Sequence, residues 1–302
     1  GLQRGILSHA REILLCRCIV EYVSRMIIHD RLKRIGAIGC LAIWLALPAA
    51  WGWAGPYRPP AGIEGSHAIH MEDEAFLDWA DDIAEYQVGE NVDSPWQTPE
   101  KALGPAEGTS FEVVSLGAGG EITLTFDPPI SNGDGWDFAI FENGFEDTFL
   151  ELAYIEVSSD GNIFVRFDNA SLTPDPVPSF GTLDTTNIDG LAGKYRQAYG
   201  APFDLEELSG KPEVVQGDVD LSAIAYIRIV DVVGDGTCLV TSGRAIYDLY
   251  PTFGSAGFDL DGVGVSNGAP YPEGDWVEPE PPTEDGDAGF GDVSGCFNNT
   301  LR

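Results

Sequence analysis

Short apolar segments that alternate with polar residues, each ended by a turn, constrain the fold of this chain more than any other feature. In residues 121–126, Ile122, Leu124 and Phe126 fall on one face of a strand. Residues 137–141 are apolar on both faces, which is typical of a central strand. The 37 glycines and 20 prolines supply the turns that many short strands need. The pattern predicts an all-β domain.

Further segments extend the same pattern. Residues 153–158 and 163–167 are separated by a turn that contains Asp160-Gly161, a strong signal for a β-hairpin. Residues 225–230 and 262–265 predict two more strands.

Helical spacing is confined to two short segments. Residues 72–86 place apolar side chains at intervals of three and four, which predicts one short helix packed on an end of the domain. Residues 204–208 predict a single helical turn within the long loop 171–217.

The N-terminal residues 1–54 are typical of a leader rather than of the fold. A basic stretch, residues 31–34, precedes an apolar run, residues 35–50, and then a small-x-small cleavage site at residues 52–54. This order predicts a secretory signal peptide and a mature chain that begins near Gly55.

A membrane anchor is the alternative for the apolar run. The run contains Gly36, Gly39 and Pro48 and is shorter than the ~20 residues that a span needs, which favours the signal peptide and a mature chain with no direct membrane span. Because position 1 is not Met, we expect translation to start at Met26.

The predicted domain, residues 55–270, is followed by an acidic, proline-rich segment, residues 271–302. Such a composition repels itself and cannot bury apolar surface, so we expect a disordered tail, either short or cut off before an anchor. Cys238 and Cys296 either form a disulfide or leave Cys296 to tether the chain.

Acidic side chains outnumber basic ones by 49 to 16. The resulting field repels nucleic acid and anionic membrane surfaces, so neither is an expected partner. The chain is still 43% hydrophobic, enough to build a core.

Several motifs in order resemble a family of secreted bacterial cell-surface proteins, many of which end in a PEP-CTERM-type sorting tail. The resemblance covers roughly residues 75–265 and rests on KALGP, NGDGWDFAIFENGF, LELAYIEVSSDGNIFVRF, GLAGKYRQAYGAPFDL and IYDLYPTFGSAGFDLDGVGV. It implies a secreted protein on the bacterial cell surface.

The segments VSSDG and YIRI are also remotely similar to the discoidin or galactose-binding domains. That similarity implies an antiparallel β-sandwich of the jelly-roll type with one or two short helices. Loops rather than sheets would then hold a ligand.

Two sets of oxygen-bearing side chains are candidate calcium ligands. Asp134, Asp137, Glu142 and Asn143 lie among glycines, and Ca²⁺ takes six to eight oxygen ligands from irregular backbone and carboxylates. The alternative is that Asp134 shapes a turn and Glu142 ends a strand in solvent.

Asp259 and Asp261 form the second set, because strand alternation places them on one face. Two neighbouring carboxylates need a cation between them or a basic partner, for which Arg228 and Arg244 are the candidates.

Loop aromatics are candidate sugar-stacking residues, since a sugar ring packs its apolar face on an aromatic ring. The alternative is that they cap the ends of the sandwich. The candidates are Trp96, Trp136, Tyr195, Tyr199, Tyr247 and Tyr250.

No catalytic constellation stands out. The mature chain holds only His67 and His70, and it has no GxSxG elbow. We therefore expect a non-catalytic binding or adhesion module that takes an extracellular glycan or a matrix component with calcium support. The alternatives are a structural matrix protein without a small ligand and a glycoside-active enzyme.

Overall fold

The computed structural model describes residues 55–272, which form two antiparallel β-sheets packed as a sandwich with a few short helices. The prediction of an all-β, antiparallel β-sandwich with few short helices is confirmed. Within the described range no helix is long and apolar enough to cross a membrane.

Fifteen strands and one short α-helix build residues 55–272. The strands are β1 (Ile69–His70), β2 (Asp78–Trp79), β3 (Asp82–Gln87), β4 (Val114–Ser115), β5 (Glu121–Ile130), β6 (Trp136–Glu142), β7 (Ala153–Ser158), β8 (Val165–Arg166), β9 (Ala170–Ser171), β10 (Ile188–Asp189), β11 (Tyr199–Phe203), β12 (Ile224–Asp231), β13 (Asp235–Leu239), β14 (Ala245–Tyr247) and β15 (Asp259–Ala269). The helix α1 is Pro212–Val215, and 3-10 turns are formed by Ser94–Trp96, Pro99–Ala102, Thr185–Asn187 and Leu205–Leu208.

The first sheet has the order β1-β11-β6-β15-β2, with β4 also paired to β15, and the second has the order β3-β5-β12-β7-β8. Two further pairs, β9 with β10 and β13 with β14, lie outside these sheets.

The core lies between the two sheets. Ile122 and Leu124 of β5 and Ile227 of β12 belong to the same buried cluster as Phe138 and Ile140 of β6. All seven residues of β6 are buried, which confirms the predicted central strand. The alternation seen in the sequence therefore sets which face of each strand enters the core.

The predicted hairpin is confirmed. Glu156 pairs with Arg166 and Val157 with Val165 across β7 and β8. The predicted turn at residues 204–208 is also present, with the Asp204 side chain accepting the Glu206 N–H at its start.

The predicted helix over residues 72–86 is wrong, because β2 and β3 occupy this segment. Ile83 pairs with Leu124 and Tyr86 with Ile122, and the register shifts between Ile83 and Glu85. A bulge adds one residue to a strand, so two side chains three apart can face the same side. The bulge in β3 therefore produces the residue spacing that is otherwise typical of a helix.

The strand that the sequence predicts for residues 121–126 is longer in the structure, since β5 continues to Ile130. Pro128 and Pro129 are exposed, and pairing with β12 is irregular there. Proline is tolerated at such irregularities because no ladder N–H is needed.

Predictions for residues 1–54 and for residues 273–302, including Cys296, lie outside the described residues. Cys238 is buried in the cluster that holds β13 and β14 against the end of β7.

Candidate ligand-binding pocket

A cavity of about 400 Å³ opens among loops at one end of the sandwich. It is bounded by the 3-10 turn at Trp96, by the loop before β4, by the loop after β6 and by the loop that leads from β14 to β15. Ligand pockets commonly enclose roughly 300 to 1,000 Å³, so this one can hold a small molecule. We call it the acidic pocket for the carboxylates described below.

Aromatic side chains dominate the mouth of the acidic pocket. Phe111 is 69% exposed, Phe145 55%, Phe180 91% and Phe253 69%. Exposed apolar side chains that lie together around one cavity are typical of a binding site. Phe145 stacks on Phe149 with ring centroids 4.4 Å apart. These rings leave several apolar faces available to a ligand. The aromatic lining residues are Trp96, Phe111, Phe145, Phe149, Phe180 and Phe253.

Asp259, the first residue of β15, contributes a buried carboxylate to the pocket wall. The Ser115 hydroxyl donates to its Oδ1, and the Asn143 amide donates to its Oδ2 over 3.0 Å. Both donors come from neighbours of β15 in the first sheet, because β4 pairs with Asp259 and Asn143 follows β6 directly. The sheet register therefore fixes this carboxylate.

Glu142, the last residue of β6, lies behind the pocket wall with its carboxylate fully buried. Its Oε2 accepts the Gly144 N–H over 2.7 Å. A Cβ at Gly144 would come within 2.8 Å of that same oxygen, so the close approach depends on glycine.

Glu151 is the least satisfied group of the pocket. It precedes β7 and is flanked by the buried Leu150 and Leu152, whose side chains enter a separate apolar cluster. Glu151 lines the cavity, is only 6% exposed, and its Oε1 has no hydrogen-bond partner. A buried polar atom without a partner costs free energy, so this oxygen calls for an explanation.

Burial raises the pKa of all three carboxyl groups. It raises the pKa of Asp259 to about 6, and it holds the pKa values of Glu142 and Glu151 well above the usual range. The neighbouring negative charges add to this, since Asp259 acts on both glutamates and Glu142 acts on Glu151. We call Glu142, Glu151 and Asp259 the carboxylate cluster.

Among residues 55–272, no Lys, Arg or His side chain lines the acidic pocket. Lys101, which donates to the Phe111 carbonyl oxygen over 2.7 Å, forms its ion pair with Glu112. The carboxylate cluster is therefore not neutralised by a basic group of the pocket wall.

The structure separates the first set of predicted calcium ligands. Asp137 and Glu142 lie at opposite ends of β6, five residues or about 16 Å apart, and the odd spacing puts them on opposite faces. Asp134 is exposed in the turn before β6, whereas Asn143 lies at the acidic pocket. The four residues do not form one site.

Asp137 has a structural role in this arrangement. Its Oδ1 accepts the Gly133 N–H and its Oδ2 accepts the Leu205 N–H, each over 2.8 Å. The carboxylate thereby ties the turn before β6 to the 3-10 turn after β11. Burial still raises its pKa to about 6.

The two carboxylates of the second set are both buried but serve different partners. Asp261 accepts the N–H groups of Glu107 and Gly108, at 2.9 and 2.8 Å, whereas Asp259 faces the acidic pocket. Arg228, one proposed partner, instead contacts Glu156. The other, Arg244, is exposed.

Of the six candidate aromatics, only Trp96 lines the acidic pocket. Trp136 and Tyr195 are buried in the core. Tyr199 packs under Arg196, Tyr247 belongs to β14, and Tyr250 precedes the pocket-lining Pro251. The expectation that these residues lie in loops is wrong for Trp136, Tyr199 and Tyr247, which lie in strands.

Among residues 55–272, no group of three or more His, Cys, Asp or Glu side chains is arranged to hold a metal ion. The calcium prediction therefore has no matching cluster in the described part of the chain.

Sequence reasoning missed Glu151 and the pocket phenylalanines. Strand alternation makes a Glu between two leucines look solvent-exposed, and only the later contact with loops from other elements buries it. The phenylalanines at 145 and 149 carried a signal, since two such residues in a polar loop have no strand periodicity to satisfy.

The chain matches no protein-family model and no curated protein sequence.

Proposed function

We propose that this protein is a non-catalytic binding module, secreted or attached to the bacterial cell surface, that takes a carbohydrate in the acidic pocket. The observation that carries the proposal is the combination of exposed aromatic rings at the mouth with the incompletely bonded carboxyl group of Glu151 inside.

Carbohydrate chemistry fits both parts of the pocket. The apolar face of a pyranose ring packs on Phe or Trp, while its hydroxyl groups need acceptors and donors at the edges of the ring. Glu151 offers the acceptor, and the serine and threonine hydroxyls at 110, 179, 252 and 255 add further polar groups to the wall. A purely apolar ligand would leave Glu151 Oε1 without a partner.

The sequence supports the cellular setting. The predicted signal peptide in residues 1–54 and the acidic tail, residues 271–302, are typical of an exported protein with a spacer. The resemblance to secreted cell-surface proteins and to galactose-binding jelly rolls points in the same direction. Calcium support is a prediction from the sequence alone.

A glycan array tests the proposal directly. We expect the wild-type protein to bind a defined subset of glycans, and Phe253→Ala and Phe180→Ala to weaken that binding. Both rings are largely exposed, so their loss should hardly change the fold. Running the array with Ca²⁺ and with a chelator at one ionic strength tests calcium support separately.

Leu77→Ala is the matched control, because Leu77 is 71% exposed but does not line the pocket. Equal binding by wild type, Phe253→Ala and Leu77→Ala would contradict the assigned site. Cleavage of a bound glycan would contradict the non-catalytic assignment.

A further inference from the structure

We propose that the ligand of the acidic pocket is a cationic carbohydrate, a sugar that carries a protonated amine next to Glu151. This inference rests on the proposed function and specifies its ligand class. It follows from the partner of each carboxyl oxygen in the pocket and from the charge of the wall.

Glu151 Oε1 lacks a hydrogen-bond donor, and the described residues of the protein do not supply one. The group is buried, it lines the cavity, and this oxygen has no hydrogen-bond partner. The Asp259 oxygens, in contrast, already accept from Ser115 and Asn143. The Glu151 carboxyl group of the pocket wall therefore has one buried oxygen with unused hydrogen-bonding capacity, and a ligand bonds to it once the side chain turns this oxygen toward the cavity.

The charge of the wall selects among donors. The negative charges of Asp259, Glu142, Asp248 and Asp231 act on Glu151. The part of the pocket wall that residues 55–272 form contains no basic side chain. An anionic sugar would be repelled. A hydroxyl group would satisfy the hydrogen bond alone, whereas an ammonium group would also offset the negative charge.

Elsewhere in the chain, a carboxylate is paired with basic side chains of the protein itself. Glu156, on β7, is held by Arg166 over 2.7 Å and by Arg228 over 3.4 Å. No basic group among the described residues of the wall does this for Glu151, so a cationic ligand would supply the missing partner.

The aromatic mouth is compatible with a cationic ligand. Phenylalanine faces attract cations through the ring quadrupole as well as packing on the sugar ring. Phe145 and Phe149, which follow β6 closely, bring two stacked rings to the same cavity as Glu151.

The test compares three tetrasaccharides with one β-1,4 backbone that differ only at C2: cellotetraose with a hydroxyl, N-acetylchitotetraose with an acetamide, and chitotetraose with an ammonium group. Calorimetric titration of the full protein at weakly acidic pH, where the amines of chitotetraose are protonated, should give about tenfold tighter binding of chitotetraose, because a charged hydrogen bond exceeds a neutral one by about that factor. Repeating the titration in buffers of different ionisation enthalpy should show proton release with chitotetraose alone, since an ammonium group displaces protons from the carboxylate cluster.

Glu151→Gln is the decisive variant. It keeps the shape of the side chain and one carbonyl oxygen but cannot ionise, so it should lower the affinity for chitotetraose to that for the two neutral tetrasaccharides and thereby abolish the preference. Asp259→Asn is less suitable, because an amide group would face the donors Ser115 and Asn143. Asp218→Asn, which removes an exposed charge after α1, is the control and should leave the preference intact.

The outcomes separate the two proposals. Equal affinity for the three tetrasaccharides, or a preference that survives in Glu151→Gln, would overturn the cationic ligand and leave carbohydrate binding standing. If none of the three tetrasaccharides binds, the proposal of a cationic ligand is contradicted. The proposal of carbohydrate binding is contradicted as well only if the glycan array also shows no binding. A Ca²⁺-dependent rise in Tm that is lost in Glu151→Gln, without chitotetraose binding, would identify a metal as the occupant.

Discussion

The two ends of β6 bury carboxylates in opposite ways. At its start, Asp137 uses one oxygen for the Gly133 N–H and the other for the Leu205 N–H. At its other end, Glu142 lies beside Glu151, whose Oε1 has no partner. Both ends show raised carboxyl pKa values, so burial does not distinguish them. The hydrogen-bond partners of the carboxylate oxygens do distinguish the two ends. They indicate a structural role for the first end and a candidate binding site at the second.

The largest effect on stability should come from Asp137→Ala at the start of β6, where both carboxylate oxygens have hydrogen-bond donors. The substitution leaves two backbone N–H groups without their acceptor, and each unsatisfied buried donor costs about 1–3 kcal/mol. We expect a loss of about 3 kcal/mol in the free energy of unfolding, measured with denaturant. A loss below about 1 kcal/mol would show that Asp137 does not hold the two turns together.

The raised pKa values predict a dependence of stability on pH. A carboxyl group whose folded pKa lies above its unfolded value binds more protons in the folded state, so stability falls as pH rises from about 4 through the folded pKa. Asp137 and Asp259, at about 6, place this fall in the weakly acidic range. We expect the free energy of unfolding to be about 2 kcal/mol lower at pH 8 than at pH 5.

The variant Glu151→Gln separates the ends in this pH experiment. Glu151 keeps its proton above the usual range, so its replacement should reduce the fall in stability on the alkaline side. A profile that Glu151→Gln leaves unchanged would contradict the raised pKa of this group.

Two truncations test whether the C-terminal residues stabilise the end of the sandwich at the start of β6. Tyr271 stacks on His67 with ring centroids 4.0 Å apart, and the Trp136 indole donates to the Pro270 carbonyl oxygen. Ending the chain before Tyr271 should therefore cost about 1 kcal/mol, the typical value of a ring pair. Because the composition of residues 273–302 predicts a disordered tail, ending the chain after Pro272 should leave Tm unchanged. An equal loss in both truncations would contradict this boundary.

The smallest effect should come from Glu151→Gln at neutral pH. Burial keeps the proton on Glu151, and its Oε1 has no partner, so a neutral amide of the same shape takes away no charge and no hydrogen bond of that oxygen. We expect the free energy of unfolding to change by about 0 to +1 kcal/mol. A loss of 2 kcal/mol or more would show that Glu151 is a structural residue like Asp137.

Local patterns in the sequence predicted most of the second sheet and the central strand of the first, because alternation along β5, β7 and β12 records directly which side chains face the core. They failed at β3, where a bulge produced the i, i+3 spacing of a helix. The candidate site was only partly predictable. The sequence predicts Asn143 and Asp259 as metal ligands and Trp96 as a sugar-stacking residue, but Glu151 becomes buried only when the loops after β6 and β14 close over it. Such long-range contacts leave no periodic signal in a single chain.

A crystal structure of the protein with the tightest-binding glycan from the array tests the central claim most directly. The account predicts a sugar ring in the acidic pocket, packed against the phenylalanines at its mouth, with a donor of the ligand within hydrogen-bond distance of Glu151 Oε1. A sugar bound at another surface, with Glu151 still lacking a partner, would contradict it.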